Sequence, residues 1–435
     1  MRLVGGRGAS WTRSCPVRRG STPAARINSR RADQLPPRGS TPPRWDGCAL
    51  SQLVQPRSPR TRSPRTRGWS ELSPCPEAVH ILDQRVARTR QSGKRCPVGI
   101  IADRRQTEQL FRRWGPVVHL RDADAGGISR GLLLRQADRR ELIRIAKSAF
   151  VQAFEWELAT VRERFRRRSI AFGLCVADDA HLTGPAAALL LGLPLVSEPV
   201  GLPVAVRPGD PHTGHDRSPY GRIRHGHLPV VHQTRSSRVR IVGAAYCAID
   251  IARHLGPLDG LVIADAVLRG GLDRAVLTEL IRDIQAYPGI STAHWVAEKA
   301  DARSESALET LGRHAFVSAG LPAPLSNVWV PAGGQWFRAD HLLPDTGVVL
   351  EADGAVKYND RPDADTIVTS EKERERQLRR AGYGVVRYNW ADAVGRPWVI
   401  PQRAREADRL RNGRPVPTCW TLEPPWVARI NSSQM

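Results

Sequence analysis

The chain has 435 residues, and its 66 Lys+Arg against 43 Asp+Glu give a formal charge of +23; that length holds two or three domains. No run of 18 apolar residues occurs, and no apolar stretch with a small-residue cleavage site follows the first methionine, which argues against a membrane-spanning helix and a secretory signal. A soluble, cytoplasmic protein without a membrane partner is expected.

The basicity is uneven. Residues 1–100 contain 20 Lys+Arg and five acids, so they supply +15 of the total and the rest of the chain is only mildly basic. This segment is rich in Pro, Ser and Gly, and residues 58–67 repeat SPRTR twice. It can bury too little apolar surface to offset its ordering entropy and is expected to be a disordered arm. An arginine-rich arm clings to nucleic acid without sequence preference. An upstream region included by a misplaced start codon would look the same, and both readings stay open. Four of the seven cysteines (Cys15, Cys48, Cys75, Cys96) fall here without any C-x-x-C pairing, so neither a structural zinc site nor a disulfide framework is expected.

From 101 to 151 the texture becomes globular. Residues 105–113 suit a first helix, Ala123–Gly127 a second helix and turn, and Ser129 the N-cap of a third helix through about Ala137. Residues 142–145 and 149–151 suit the two strands of a hairpin. Helix, turn, helix, hairpin is winged helix-turn-helix order. The stretch GISRGLLLRQADRRELIRIAKSAFV resembles the N-terminal domain of AbiEi-type antitoxins, regulators of type IV toxin–antitoxin systems. The resemblance implies DNA binding, with Ser129, Arg130 and Arg135 on the DNA face and Arg144 or Lys147 on a phosphate.

Residues 152–295 alternate small and large apolar residues at helical spacing, as in LDGLVIADAVLRGG, and suit an α/β scaffold. Asp250, Asp259 and Asp265 are expected to be surface or capping acids. His212, His215, His225, His227 and His232 lie in a Gly/Pro/Arg-rich stretch that suits a solvated loop. By its order the segment resembles the one after the winged helix in the AbiEi-like family, which implies a toxin or other protein partner through this middle domain.

A C-terminal domain is expected over 296–410, followed by a tail, 411–435. Ser306-Ala-Leu-Glu309 fits a capping box opening a helix that ends near Gly320. Pro344-Asp-Thr-Gly347 is a turn between two apolar runs, hence a hairpin. If Leu343 faces Val348, then His341 faces Leu350 and Asp340 faces Glu351; by alternation Asp353 shares the face of Glu351. At about 5 Å and an effective dielectric near 20 each such carboxylate pair repels by roughly 3 kcal/mol, so a compensating divalent cation is expected. Only five of the 66 basic residues are lysines, and Lys357 follows this acidic strand, where an ammonium can steady developing charge. A third strand segment is expected after the hairpin, then a charged helix over 370–380 and a further strand over 385–388.

The pattern Asp340 … Glu351-x-Asp353-x-x-x-Lys357 resembles the PD-(D/E)XK nucleases, and more narrowly the Vsr-like (very short patch repair) endonucleases. The resemblance implies an α-β-β-β-α-β, restriction-endonuclease-like domain in a multi-domain α/β chain. It implies catalysis by Asp340, Glu351, Asp353 and Lys357, with Mg (or Mn) held by Asp340, Glu351 and Asp353 and approached by Glu309. The family's E-x-K lysine stands at Asp353 here; either Lys357 replaces it or the site is degenerate. Two functions follow: a metal-dependent DNA endonuclease, or a DNA-binding regulator of the antitoxin type with an inactive nuclease-like domain.

Overall fold

The computed structural model describes residues 98–210, 214–354 and 364–426. The expected arm, apart from its last three residues, lies outside the described residues, as do His212, Lys357 and the end of the tail. What is described is mixed α/β with three sheets, and no described helix is long and apolar enough to cross a membrane.

The first sheet belongs to a small unit ordered α1 (Val98–Trp114), β1 (Val118–His119), α2 (Leu120–Ala125), α3 (Arg130–Asp138), β2 (Leu142–Ala146) and β3 (Ala149–Gln152). Its strands lie in the order β1-β3-β2, all antiparallel. Leu132 and Leu133 of α3 pack with Leu110, Phe111, Val118 and Phe150. α2 begins three residues before Ala123 because His119 caps it: its Nδ1 accepts from the Arg121 amide at 3.0 Å, and Asp122 accepts from the His119 amide at 2.6 Å. Ser129 does stand at the N-cap of α3, but its hydroxyl makes no capping bond. Arg238 ties this unit to the next sheet, pairing with Asp122 and lying 4.8 Å from the centre of the Trp114 ring.

α4 (Ala153–Leu158) and α5 (Val161–Cys175) lead into a six-stranded sheet of order β6-β7-β5-β4-β9-β8. Its strands are β4 (His181–Thr183), β5 (Val204–Pro208), β6 (His215–Ser218), β7 (Gly221–Gly226), β8 (Gln233–Ser236) and β9 (Val239–Val242). α6 (Gly184–Leu191) follows β4, and after β9 come α7 (Ala244–Leu255), α8 (Pro257–Arg269), α9 (Arg274–Asp283) and α10 (Ile290–Lys299). The histidine stretch is therefore not a solvated loop. Its polar residues form strands held by backbone pairing to β5 and β9, and His232 is buried. Gly221 lets the Phe172 ring close on the chain, since a Cβ there would lie 2.5 Å from it.

The three aspartates need correction as well. Asp250, Asp259 and Asp265 are 3%, 2% and 1% exposed, and each has partners distant in sequence. Asp259 accepts from the Val196 and Ser197 amides at 2.8 and 3.1 Å, pinning the segment after α6. Asp265 accepts from the Asp301 amide, Thr310 and Arg313, each at 2.7 Å. Burial of a charge is tolerable only with such partners.

The C-terminal layer runs α11 (Ala307–Ser318), β10 (Leu325–Ala332), β11 (Gln335–Leu343), β12 (Val348–Asp353), α12 (Ala364–Arg380), β13 (Gly384–Asn389) and α13 (Val399–Leu410). The sheet order is β10-β11-β12-β13, antiparallel except for the parallel β12/β13 pair. The third strand is β10, upstream of the hairpin and not after it. Val348, Leu350, Val386 and Tyr388 face one core with α11 and α13, and Val262 of α8 joins them. Leu342, Val349 and Val385 face the other with Leu378 of α12. Part of the expected tail packs too: Thr421 bridges Trp329 of β10, and Trp426 meets that indole edge-on at 4.8 Å.

Candidate active site

The hairpin has the register read from its turn: His341↔Leu350, Leu342↔Val349 and Leu343↔Val348. Gly347 sits at φ 62°, where glycine is unstrained. The ladder stops before Asp340 and Glu351; the Asp340 carboxylate accepts instead from the Ala352 amide at 2.7 Å. By alternation Glu351 and Asp353 share the face of Val349, which is the face α12 covers; at Asp340 the alternation of β11 breaks, since Ala339 and Leu342 both pack into that same core. The structure thus gathers three of the expected residues where the ladder ends, close enough that the Asp340 charge adds to burial in pushing up the carboxyls of both Glu351 and Glu309.

Compensation comes from two arginines that the sequence pattern did not point to. Arg374 of α12 donates to Glu351 Oε1 at 2.9 Å and also to the Arg338 carbonyl. Arg387 of β13, the register partner of Glu351, donates to Asp353 at 3.1 Å and to Glu371 at 3.2 Å, and lies 3.5 Å from Glu375. Even so, burial pushes the Glu351 carboxyl up to about 8; Arg374 opposes that shift, and the charges of Asp340 and Asp353 add to it. Nothing in the hairpin's own sequence signals these partners, because α12 and β13 reach them only after folding.

Glu309 is the capping acid. Oε1 accepts from the Ser306 hydroxyl at 2.9 Å, and Oε2 from the Glu305 amide and Asn327, both at 2.8 Å. With both oxygens committed, its approach to a metal would require exchanging those bonds, although burial, with Asp340 nearby, pushes its carboxyl up. Behind the carboxylates lies an unpredicted buried pair, His341 and Tyr388, stacked at 6.3 Å. His341 Nε2 is 3.0 Å from the Glu309 carbonyl and 3.1 Å from the Tyr388 hydroxyl; burial lowers its pKa to about 4, so the imidazole is neutral at pH 7. Gly312 of α11 makes room for the phenol. A Cβ there would lie 2.1 Å from Tyr388 Oη and 2.3 Å from Cζ, so Gly312→Ala is expected to cost about 2–3 kcal/mol by overpacking. Tyr388→Phe should not rescue it in urea melts, because the ring itself is in the way.

Asp340, Glu351 and Asp353 are hard oxygen donors of the type Mg²⁺ or Mn²⁺ takes, and their charge on a half-buried face suits a cation. As the side chains stand, the arginines hold two of them, and no group of three or more His, Cys, Asp or Glu among the described residues is arranged to hold a metal ion. A cation would compete with Arg374 for Glu351.

At the other end, Arg130 and Arg135 are exposed on α3. Arg130 is held in a fork by Asp124 at 2.8 and 2.9 Å, and Arg135 lies 3.9 Å from Asp103. Arg144 donates to the Lys147 carbonyl, bracing a hairpin turn that has no glycine. Ser129 and Lys147 do not pair with any of these acids.

No family model matches the chain. Two uncharacterised proteins of Mycobacterium tuberculosis, Rv2248 (strain H37Rv) and MT2308 (strain CDC 1551), are each 27% identical to it over 191 residues, which is 42% of this chain and 69% of theirs. Among solved structures, the RV2827C protein from Mycobacterium tuberculosis aligns with a TM-score of 0.27 at 16% identity, over 47% of this chain and 79% of that one.

Proposed function

We propose that the chain is a metal-dependent DNA endonuclease of the Vsr-like PD-(D/E)XK type, with a winged-helix DNA-binding unit ahead of it. The observation that carries the reading is the gathering of Asp340, Glu351 and Asp353 where the β11–β12 ladder ends, in a sheet built in α-β-β-β-α-β order. These carboxylates would hold Mg²⁺ or Mn²⁺. Such an ion, when bound, supplies Lewis acidity and an activated water. Binding of the ion would free Arg374, the cation nearest Glu351, to face a phosphoryl oxygen. The test is incubation of the full chain with supercoiled, linear and mismatched duplexes in EDTA, Mg²⁺ or Mn²⁺. Divalent-dependent cleavage that disappears in Asp340→Asn is expected; no cleavage of any form by the wild type sinks the reading.

One observation favours a second reading, a regulator of the AbiEi antitoxin type. With Asp353 in place of the family's lysine, the Arg374–Glu351 and Arg387–Asp353 pairs already give two of the three carboxylates a counter-charge without a metal. Both readings place DNA on α3. Arg130→Ala with Arg135→Ala is therefore expected to weaken duplex binding and to lower the log–log salt slope by about 0.9 for each phosphate that the protein no longer neutralises. Unchanged affinity and slope would make this unit a protein-binding module, the partner then being a toxin or another protein.

A further inference from the structure

A cleft of about 820 Å³ opens in the middle domain between β5 and β7 on one side and α7, the start of α6 and Tyr287 on the other. That volume is typical of small-molecule sites. Its wall carries three guanidinium groups, Arg222, Arg224 and Arg253, and the imidazoles of His215, His225 and His254, against a single acid, Asp250.

Asp250 is already engaged. It accepts from Thr183 Oγ1 at 2.7 Å and from Arg224 Nη2 at 2.6 Å, and lies 3.2 Å from His254 Nδ1. Its burial works against ionisation, but Arg224 and His254 outweigh it and hold the carboxyl well below the usual range. Asp250 thus serves to aim Arg224 and cannot neutralise the cleft. Arg253 stacks on Tyr287 at 4.9 Å and donates to the Pro288 carbonyl at 3.0 Å. Arg224 keeps a buried Nε with no partner. Arg222, two residues along β7 and so on the same face, has no side-chain hydrogen bond or ion pair among the described residues. Arg224 also contacts the His254 ring through Nη1, so each of its Nη groups keeps one further N–H; these, beside the uncommitted fork of Arg222, match the oxygens of a phosphate. Beyond them the cleft is lined by Val200, Leu202, Val204 and the rings of Tyr246 and Tyr287, a surface for a flat, weakly polar group.

We infer that this cleft is a binding site for a nucleoside phosphate, its phosphate on Arg222 and Arg224 and its base against the apolar wall. The site is independent of the nuclease and DNA-binding readings.

Calorimetric titration of the full chain with inorganic phosphate, the four ribonucleosides, and their 5′-mono- and triphosphates tests it. At least one nucleotide is expected to bind, at least ten-fold tighter than its nucleoside and than inorganic phosphate. Arg222→Ala should weaken that binding at least ten-fold and leave the melting temperature of the ligand-free protein unchanged, since Arg222 supports nothing else. Arg224→Gln should also weaken binding. The assignment is overturned if no nucleotide binds, if phosphate binds as tightly as any nucleotide, or if Arg222→Ala leaves the affinity intact. In that last case the nucleotide sits elsewhere, the arginine-rich residues 1–100 included.

Discussion

Glu351→Gln is expected to make the metal-free protein more stable, and more so as pH rises. The folded carboxyl sits at about 8, above its ordinary value. A raised pKa means that the group's share of stability is intact below about pH 4.5 and is lost as pH climbs through about 8. A shift of that size corresponds to at most about 5 kcal/mol. The pull of Arg374 is already contained in that shift; side-chain relaxation reduces it, and about 2–4 kcal/mol is expected, or several degrees in Tm. Glutamine removes the titration and leaves Arg374 its bond to the Arg338 carbonyl. In EDTA, wild type and variant should melt together at pH 5 and diverge by pH 9, the variant higher. In millimolar Mg²⁺ or Mn²⁺ the order should reverse or close, because only the wild type gains linkage stabilisation, and the variant should not cleave. A variant that melts lower than wild type in EDTA at pH 9, with no metal response in either, would mean that the carboxylates are a balanced structural cluster.

The second large effect is expected at Arg313. Its guanidinium donates to Asp265 at 2.7 Å, with 4% and 1% of the two side chains exposed. Arg313→Met keeps the volume and strands a buried carboxylate, so a loss of about 3–5 kcal/mol is expected. Burial already pushes the Asp265 carboxyl up, with Arg313 opposing. Without Arg313 it should rise further, so the variant's deficit shrinks as pH falls and the carboxyl protonates. Asp265→Leu combined with Arg313→Met should be no less stable than Arg313→Met alone, although it leaves the Asp301 amide and Thr310 without their acceptor. A single-variant loss below about 1 kcal/mol in urea melts would show that water reaches the pair.

The parts of the fold legible in the sequence were those written locally. The Pro344–Gly347 turn specified the hairpin and its register, and alternation then set Glu351 and Asp353 on one face, with Asp340 beside them where the ladder ends. Ser306 and Glu309 announced the cap of α11. Long-range pairing was not legible. Arg374 is 23 residues from Glu351 and Arg313 is 48 from Asp265, so with their partners unknown Asp265 looked solvent-facing and Glu351 looked in need of a metal ion. β10 was legible too, although the third strand was expected after the hairpin: Gly333 and Gly334, both at positive φ, form the two-residue turn that pairs Ala332 with Gln335. The strands of the histidine stretch were missed because backbone pairing to neighbours holds them, and their side chains show almost no apolar alternation.

The Asp265–Arg313 bridge also bears on how the chain can be divided. Val262 of α8 lies in the C-terminal core, and Asp265 of the same helix neutralises the cation on α11. A fragment cut at 295/296, where the sequence suggests a boundary, would carry a buried guanidinium without its counter-ion and a hole where Val262 sat. The two layers are therefore expected to melt as one cooperative unit, and a transplanted C-terminal layer would need α8 to travel with it.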